Sequence, residues 1–389
     1  MKAKNLSDIK IANKSMLYDC IRKHRSASIS DLEFMTQLSR PTVTGLVRAM
    51  EAEGTVIRTG LSNSSGGRSA TLYSLNANAH YAMGVDLEFP SVSISITNLE
   101  YECILQRKLK IDVARGFREL IQELLDAMEN VLADSGIPRD RFLGVCIGIP
   151  GQIDRDRKYS TVERIPGWRS IPLGDIVAQR LNMPVHIEND ANLLAWAEYR
   201  KNSDNPARNR LFIILRHGIG MGVIMDGHLL EGTSGNAGRI GHASINADGP
   251  LCVCGNRGCL SLYASEHAIV EKYQQMTGSS AADLRDIDVQ AEAGDQSAIH
   301  VMSVAGRYLG TMILSLTSMF DIFYVTVCTK CGARHMNAAI QQAIERRVDN
   351  YRAHPIELHT LELPDSTSSL GGCMYVIDDY IRKLTRRSV

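Results

Sequence analysis

The first eighty residues carry apolar positions at the spacing of short helices. The first helix is indicated by apolar side chains at Met16, Leu17, Cys20 and Ile21. The segment "SISDLEFMTQL" predicts a second helix, with Ser30 or Asp31 as its N-cap. The segment "SRPTVTGLVRAMEAEG" predicts a third helix from about Pro41 to Ala52, which Gly54 ends. Its apolar face consists of Val43, Leu46, Val47 and Met50.

The segment "TVIRTGLSNSSGGRSATLYSLN" predicts two short strands around a turn rich in glycine and serine. Three helices followed by a β-hairpin indicate a winged helix-turn-helix. The pattern changes from Tyr81 onward, where strands such as "YAMGVDLEF" and "FLGVCIGIPG" alternate with amphipathic helices such as "GFRELIQELLDAMENVLADSG". That alternation predicts two α/β lobes behind the head.

Length and composition indicate the number of domains and the cellular compartment. A length of 389 residues suggests two or three domains. The chain contains no apolar run long enough for a membrane span and no signal peptide, so we expect a cytoplasmic protein. Its nine cysteines should then be reduced thiols, catalytic groups or metal ligands.

Charge is unevenly distributed. Residues 1–80 hold eleven Lys/Arg and six Asp/Glu, a net charge of +5, whereas the whole chain is neutral. This indicates an anionic partner for the head, although a solvated helical surface gives the same count.

The predicted third helix has the composition of a DNA recognition helix. The N-terminal residues of such a helix meet base edges in the major groove. The candidate DNA contacts there are Ser39, Arg40, Pro41, Thr42, Thr44 and Arg48. Arg68, at the tip of the wing between glycine and serine, could enter a narrow minor groove. The alternative is a winged helix that binds protein and leaves Arg68 in solvent.

Four metal-binding side chains lie close together in "GHASINADGPLCVCGNRGCL". They are His242, Cys252, Cys254 and Cys259. An imidazole and three thiolates suit tetrahedral zinc, and a fully protein-ligated ion is structural rather than catalytic. The alternative is a group of ordinary buried thiols. A second pair, Cys328 and Cys331, forms a weaker motif that fits redox chemistry, a second metal or plain thiols.

Several segments together resemble the repressor, ORF, kinase (ROK) family. They are "IGIPGQID", "IENDANLLAWAE", "GIGMGVIMDGHLLEGTSGNAGRIGH" and "CVCGNRGCLSLYAS", with "LSRPTVTGLVRAMEAEG" in the head. The resemblance implies an actin-like, sugar-kinase ATPase fold, a structural zinc on the four residues above, and a sugar-responsive transcription regulator. It implies a winged helix-turn-helix over 1–78, a first lobe over 79–195 and a second over 196–389, with the last helix returning to the first lobe.

The resemblance also assigns an effector site. Asp190 matches the catalytic base of the kinases and Asn189 a contact to sugar hydroxyls, while His242 borders the same site. Two family glutamates that accept sugar hydroxyls are replaced by Arg239 and Ser261. Because an arginine accepts no hydrogen bonds, Arg239 favours an acidic sugar derivative or pairs with a carboxylate and closes the pocket.

The segments that match the phosphate loops of the kinases have changed. The first reads "DLEFPS", where Glu88 would repel phosphate, and the second reads "RHGIGMG", with His217 in place of threonine. The glycines on the adenosine side are replaced around Cys328. We therefore expect no ATP and no catalysis, and interpret the chain as a DNA-binding repressor.

In this interpretation a sugar-like effector binds the interlobe cleft, and a homodimer or homotetramer binds a two-fold operator. The alternatives are a sensor controlled by a protein partner and an active sugar kinase with a regulatory head.

Overall fold

The computed structural model describes residues 6–62, 69–154, 159–162, 165–202, 204–281, 283–346, 354–364 and 366–386. The head is a three-helix unit with a small antiparallel sheet, in the order β1-β3-β2. Its elements are α1 (Leu6–His24), β1 (Ala27–Ser28), α2 (Ile29–Thr36), α3 (Arg40–Ala52), β2 (Val56–Leu61) and β3 (Thr71–Leu75). This is the predicted winged helix-turn-helix.

The local sequence explains the bounds of the head helices. The four predicted apolar residues of α3 are all buried, and Gly54 adopts a positive φ of 73° just after the helix. The N-cap of α2 is Ser28, so the prediction of Ser30 or Asp31 was wrong. Asp31 instead completes a capping box, because its carboxylate accepts the backbone N–H of Ser28 at 2.9 Å. Pairing of β1 with β3 places Ser28 at this position.

A first five-stranded sheet forms one lobe of the body. Its elements are β4 (Tyr81–Glu88), β5 (Ser91–Asn98), β6 (Cys103–Lys110), α4 (Phe117–Ser135), β7 (Phe142–Ile149), β8 (Gln152–Ile153), β9 (Ser160–Thr161), α5 (Leu173–Leu181), β10 (Val185–Asn189) and α6 (Asp190–Lys201). The sheet order is β10-β7-β4-β5-β6, while β8 and β9 pair separately. The central strands β4 and β7 are buried along almost their whole length because both faces of the sheet are covered.

A second five-stranded sheet repeats the same topology. Its elements are β11 (Arg210–Leu215), β12 (Ile219–Met225), β13 (His228–Leu229), α7 (Ser261–Ala264), α8 (Glu266–Thr277), α9 (Leu284–Glu292), α10 (Gln296–Phe320), β14 (Tyr324–Thr329), α11 (Arg334–Glu345), β15 (Glu357–Glu362) and α12 (Thr367–Arg386). The order is β13-β12-β11-β14-β15. In both sheets the first three strands in chain order pair antiparallel. The fourth strand pairs parallel with the first, and the fifth pairs parallel with the fourth.

Two helices, α6 and α12, lie at the seam of the molecule. Residues 191–198 of α6 are all buried, because the helix packs on α12, on β7 and on β12 of the other sheet. The close packing depends on glycine: a Cβ on Gly222 would lie 2.2 Å from Ala195 Cβ, and one on Gly371 would lie 2.0 Å from the Leu193 carbonyl. The C-terminal helix α12 covers β4 and β7, so the chain ends on the first sheet.

The core of the head continues into this seam. Buried Leu17 and Ile21 of α1 belong to the same apolar cluster as Leu194 of α6 and Met374 and Ile377 of α12. The helix α10 is long and apolar enough to cross a membrane, but 56% of its apolar 18-residue window is buried, and its buried apolar residues belong to the core of the second lobe. It is the one such helix among the residues that the structure describes.

Candidate functional site

The exposed face of α3 carries the residues predicted to contact DNA. Ser39, Arg40, Pro41 and Arg48 are exposed, whereas Thr42 and Thr44 are half-buried. Arg68 lies outside the described residues. The opposite face of α3 is buried in the head, so the helix presents one polar, basic side to the outside.

Short side-chain contacts hold the N-terminal turn of α3. Arg40 is 63% exposed, with Nη1 lying 3.6 Å from Glu33 Oε2 and donating to Ser30 Oγ at 3.4 Å. Ser39 has the backbone angles of an N-cap, but its hydroxyl contacts the Thr42 hydroxyl at 2.8 Å rather than a backbone N–H. Ion pairs of this exposure are weak, so Arg40 can exchange Glu33 for another partner at little cost.

A cavity of about 440 Å³ lies between the two lobes. All five residues assigned to the effector site line it, namely Asn189, Asp190, Arg239, His242 and Ser261. Glu88, Arg216 and His217 line the same cavity, with His217 stacked on His267 at 4.9 Å between ring centroids. The cavity is large enough for a sugar-sized molecule.

Asn189 has a structural task within this cavity. Its carbonyl oxygen accepts the N–H of Ala191 at 3.0 Å and so caps α6. Its amide donates to the carbonyl oxygens of Ile149 and Gly151 at 3.4 and 3.3 Å. Asn189 therefore fixes the loop after β7 against the start of α6, which brings the Gly151 turn to the wall of the cavity.

A buried arginine that the sequence analysis did not identify forms the floor of the cavity. Arg216 follows β11, and its Nη1 lies 3.1 Å from Asp86 Oδ2 and 3.5 Å from Asp190 Oδ2. Its Nε lies 3.7 Å from Glu88 Oε1. The arginine comes from the second sheet and the carboxylates from the first, so this cluster joins the two lobes.

The cluster is short of positive charge. Lys330, after β14, adds one cation, with its Nζ 2.6 Å from Glu88 Oε1. Burial raises the pKa of the Asp86 carboxyl to about 7, although Arg216 acts in the opposite direction. Burial also raises the pKa of Asp190, again against Arg216. Three carboxylates thus compete for two cations at the floor of the cleft.

Both segments that match the kinase phosphate loops contribute their first residues to this cluster. Asp86 and Glu88 belong to the first segment, and Arg216 and His217 begin the second. Glu88 is held by Lys330 and Arg216. The floor of the cleft is therefore occupied by protein side chains that pair with one another.

The four predicted zinc ligands converge beside the cavity. Their ligand atoms all lie within 4.8 Å of one another. Cys252 Sγ is 3.7 Å from His242 Nδ1, and Cys254 Sγ is 3.6 Å from Cys259 Sγ. In a zinc tetrahedron with Zn–S bonds of about 2.3 Å, neighbouring ligand atoms lie about 3.5–3.8 Å apart. These two separations match such a tetrahedron, so the four residues present fit a zinc ion.

The loop backbone holds this geometry. Gly258 has a φ of 60°, and a Cβ there would lie 1.7 Å from the Asn246 carbonyl oxygen. The Asn256 amide donates to the His242 carbonyl oxygen at 3.3 Å. Within the described residues, this is the one group of three or more side chains that could hold a metal ion.

The second cysteine pair lies elsewhere. Cys328 and Cys331 are both buried near the end of β14, and burial raises the pKa of both thiols, that of Cys331 to about 12. A protonated thiol is a poor nucleophile and a poor metal ligand. The structure thus favours ordinary buried thiols over a redox or metal role for this pair.

A second arginine cluster joins the head to the body. Arg200, near the end of α6, donates to Asp19 of α1, with Nη1 lying 3.1 Å from Asp19 Oδ2. Its Nε lies 3.3 Å from Asp378 Oδ2 on α12, and its Nη2 donates to the Tyr101 hydroxyl at 3.0 Å. Trp196 also donates to Asp378, from Nε1 at 3.0 Å. One guanidinium therefore bonds α1, α12 and the turn after β5.

Arg22 strengthens the same junction. Its guanidinium lies 3.8 Å from the centre of the Tyr101 ring, and its Nε donates to the Leu99 carbonyl oxygen at 3.1 Å. Burial opposes ionisation of Asp19, but Arg200 and Arg22 together lower the pKa of that carboxyl. Because Asp190 begins α6 and Arg200 lies near its end, one helix runs from the cleft to the head.

These features define a class of protein: a winged helix-turn-helix joined to two lobes of identical topology with a ligand-sized cleft between them. The profile of the ROK family matches residues 82–379. The chain therefore belongs to the ROK family, and the resemblance inferred from the sequence is confirmed.

Relatives extend the match to the head. The xylose repressor of Bacillus subtilis is 29% identical over 380 residues, which cover 97% of this chain and 98% of that protein. The crystal structure of a ROK family transcriptional regulator, a homologue of the E. coli MLC protein, superposes with a TM-score of 0.79 and 23% identity over 97% of this chain and 98% of that one. This likeness confirms the predicted fold class.

A kinase relative shares the body. A ROK glucokinase from Streptomyces griseus, solved with glucose and AMPPNP, superposes with a TM-score of 0.65 and 26% identity. The match covers 76% of this chain and 98% of the glucokinase. The same fold thus serves a kinase and a regulator, and the side chains at the cleft have to distinguish them.

Neither arginine cluster is predicted by the sequence. An arginine directly after the apolar strand "RLFIIL" was a signal for a buried charge at Arg216, but nothing in the sequence identified its partners. Arg200 and Asp19 looked like ordinary surface residues of amphipathic helices. Both pairs are separated by more than a hundred residues.

We predict that Arg200→Ala destabilises the protein by about 3 kcal/mol, because it leaves the buried Asp378 without its cation. Asp19→Ala should cost only about 1 kcal/mol, since that carboxylate is 44% exposed. Lys23→Ala is the matched control, because Lys23 pairs with Asp204 at a more exposed position on the same helix as Asp19. Denaturant unfolding measures all three, and an Arg200→Ala variant as stable as Lys23→Ala would contradict this assignment.

Proposed function

We propose that this protein is a DNA-binding transcriptional repressor whose ROK body senses a sugar or a sugar derivative. One observation carries the proposal: a head with an exposed, basic recognition helix is built into the same core as a ligand-sized cleft. The match to the xylose repressor over nearly the whole of both chains supports it. Genes of carbohydrate uptake or catabolism are the expected targets.

The working unit would be a cytoplasmic homodimer or homotetramer on a two-fold operator. Residues 1–78 act as the head, 79–195 and 196–389 as the two lobes. Within the head, Arg40, Arg48 and the polar residues between Ser39 and Thr44 face the major groove, and Arg68 on the wing faces the adjacent minor groove. A two-fold site requires two heads at a fixed spacing, so control of that spacing controls affinity.

The helix α6 gives a route from effector to DNA. Its first residue, Asp190, lines the cleft, and Arg200 bonds Asp19 of the head about one helix length away. A ligand that draws Asp190 from Arg216, or moves one lobe against the other, displaces a helix that is buried all round. Because such a helix moves as a rigid body, the displacement reaches α1 and changes the placement of the head.

The same cleft is proposed to bind no ATP and to catalyse no phosphoryl transfer. Phosphate binding needs backbone amides and cations that are free to face the nucleotide. Here Arg216 and Lys330 are engaged by Asp86, Glu88 and Asp190. Asp190, which matches the kinase base, is also engaged by Arg216, whose Nη1 lies 3.5 Å from its Oδ2.

Zinc is proposed as a structural ion on His242, Cys252, Cys254 and Cys259. When bound, it would supply ordering free energy to a loop that has little apolar area of its own. The loop contributes Cys252, Val253 and Cys254 to the cavity wall, while His242 lines the same wall from the preceding turn. Zinc would therefore shape the effector site without taking part in chemistry.

The DNA prediction uses a duplex selected by the protein from random sequences. Arg40→Ala should weaken binding to that duplex by about 1–3 kcal/mol and relax base preference at one position, as loss of a bidentate base contact does. Arg25→Ala is the matched control, because Arg25 is similarly exposed but pairs with Glu100 and Glu102 on the body. Equal losses for the two variants on every sequence would contradict the role of Arg40, and no selected duplex at low salt would contradict the proposed function.

We predict that the protein does not phosphorylate sugars with ATP. Purified protein with MgATP and a panel of pentoses, hexoses and sugar acids should release no ADP above the blank, because the phosphate region is filled by paired side chains. A turnover that is abolished in Asp190→Asn would show that the cleft is a working active site and would overturn this part of the proposal.

The metal prediction concerns one zinc ion per chain. Cys254→Ser should lower the zinc content well below one equivalent and destabilise the second lobe, since the ion orders its loop. Cys103→Ser is the matched control, because Cys103 is likewise an exposed thiol but lies on β6. Elemental analysis and thermal unfolding measure both effects, and wild-type protein purified without zinc that unfolds at the same temperature after zinc addition would refute the assignment.

A further inference from the structure

A glycine lies in the interior of the recognition helix. Gly45 is the sixth of the thirteen residues of α3, Arg40–Ala52, and its backbone is helical. Glycine is the poorest helix former after proline, because it loses the most backbone freedom when it becomes ordered. An exposed glycine at this point weakens the helix on which the head depends, so its presence needs a physical reason.

The described fold contains no such reason. A Cβ built on Gly45 meets no atom within 4 Å, and the residue has no positive φ. Gly222 and Gly371 differ in this respect, since a Cβ at either would overlap a neighbouring helix or carbonyl group. Alanine would therefore fit at position 45 and stabilise the helix. A reason for the glycine would then lie in a partner that contacts α3 from outside.

The position of Gly45 on the helix indicates what that partner is. Gly45 lies on the face opposite the buried residues of α3, one turn after Pro41 and one turn before Arg48. Arg40 is exposed near the start of the same helix. The glycine thus makes a shallow point in a surface that carries two exposed arginines, and this combination of charge and shape suits the polyanionic duplex.

We propose that Gly45 is a positioning residue for DNA recognition: the backbone of α3 lies against a base-pair edge in the major groove at Gly45, and the missing side chain sets the depth to which the helix enters. A methyl group there holds the helix away from the groove floor. Arg40 and Arg48 then reach their partners at longer distances, and both contacts weaken together. This inference rests on the proposed DNA-binding function.

The test compares the fold with the binding. Gly45→Ala should raise the Tm by about 1 °C, because alanine is the better helix former. The same substitution should raise the Kd for the duplex selected by the wild-type protein at least tenfold, and Gly45→Leu should raise it further. Non-specific binding at low salt should change less than twofold, since it depends on charge rather than on close fit.

A glycine moved by one turn provides the control. Ala49→Gly places the same residue type on the same helix, and Gly45→Ala/Ala49→Gly restores the glycine count of α3. The double variant should have nearly the wild-type Tm and still bind the selected duplex at least tenfold more weakly, whereas Ala49→Gly alone should lower the Tm and keep the affinity.

Unchanged affinity in Gly45→Ala would overturn the inference while leaving the DNA-binding function intact. A lowered Tm would also overturn it, because the glycine would then serve the fold of the head itself. Failure of the wild-type protein to select any duplex would refute both this inference and the proposed function.

Discussion

The ion-pair cluster around Arg200 makes the head and the body one structure. A single guanidinium bonds Asp19 of the head, Asp378 of the C-terminal helix and the Tyr101 hydroxyl, all from the end of a buried helix. The apolar core of the winged helix is continuous with that helix and with α12. Without this junction the head would be tethered by the chain alone, and an event in the cleft would have no mechanical path to α3.

A second arginine cluster lies at the other end of the same helix. Arg216 contacts Asp190 and the two carboxylates of β4, Asp86 and Glu88, and so connects the two lobes across the cleft floor. Burial of such charges contributes little net stability, since desolvation offsets most of the Coulomb attraction. What the cluster does contribute is a set of charge contacts that depends on how the two lobes are placed. In the proposed mechanism, a ligand that offers Asp190 a different partner shifts the lobes between arrangements.

The comparison with the kinase relative shows how one scaffold can support different tasks. The repeated five-stranded sheets and the glycines that let α6 approach β12 build the cleft. Two of the glycines in "GIGMG", which suggest a phosphate loop when only the sequence is considered, face the Ala191 and Ala195 methyl groups and so serve helix packing. Glycines in such a motif can thus be required by helix packing as well as by phosphate binding.

The features that depend on local spacing could be predicted from the sequence. Helical periodicity identified the buried face of α3, because Val43, Leu46, Val47 and Met50 recur at the period of the helix. The four predicted zinc ligands lie within eighteen residues, and glycine turns between them suffice to bring them together. The family motifs around Asp190 and His242 indicated the cleft, because each motif carries its own turn and cap.

The pairing of the buried charges, in contrast, depends on tertiary packing. Arg216 and Asp86 are 130 positions apart, and Arg200 and Asp19 are 181 positions apart. No periodicity connects such residues, since their proximity depends on the crossing of whole sheets and helices. In the sequence, each of these charged residues resembles a solvated surface residue. In the fold, the packing of α6 between the lobes removes much of the water around it. The proposed coupling between cleft and head would therefore be a property of the packing, because electrostatic partners are selected by distance in space and not by distance along the chain.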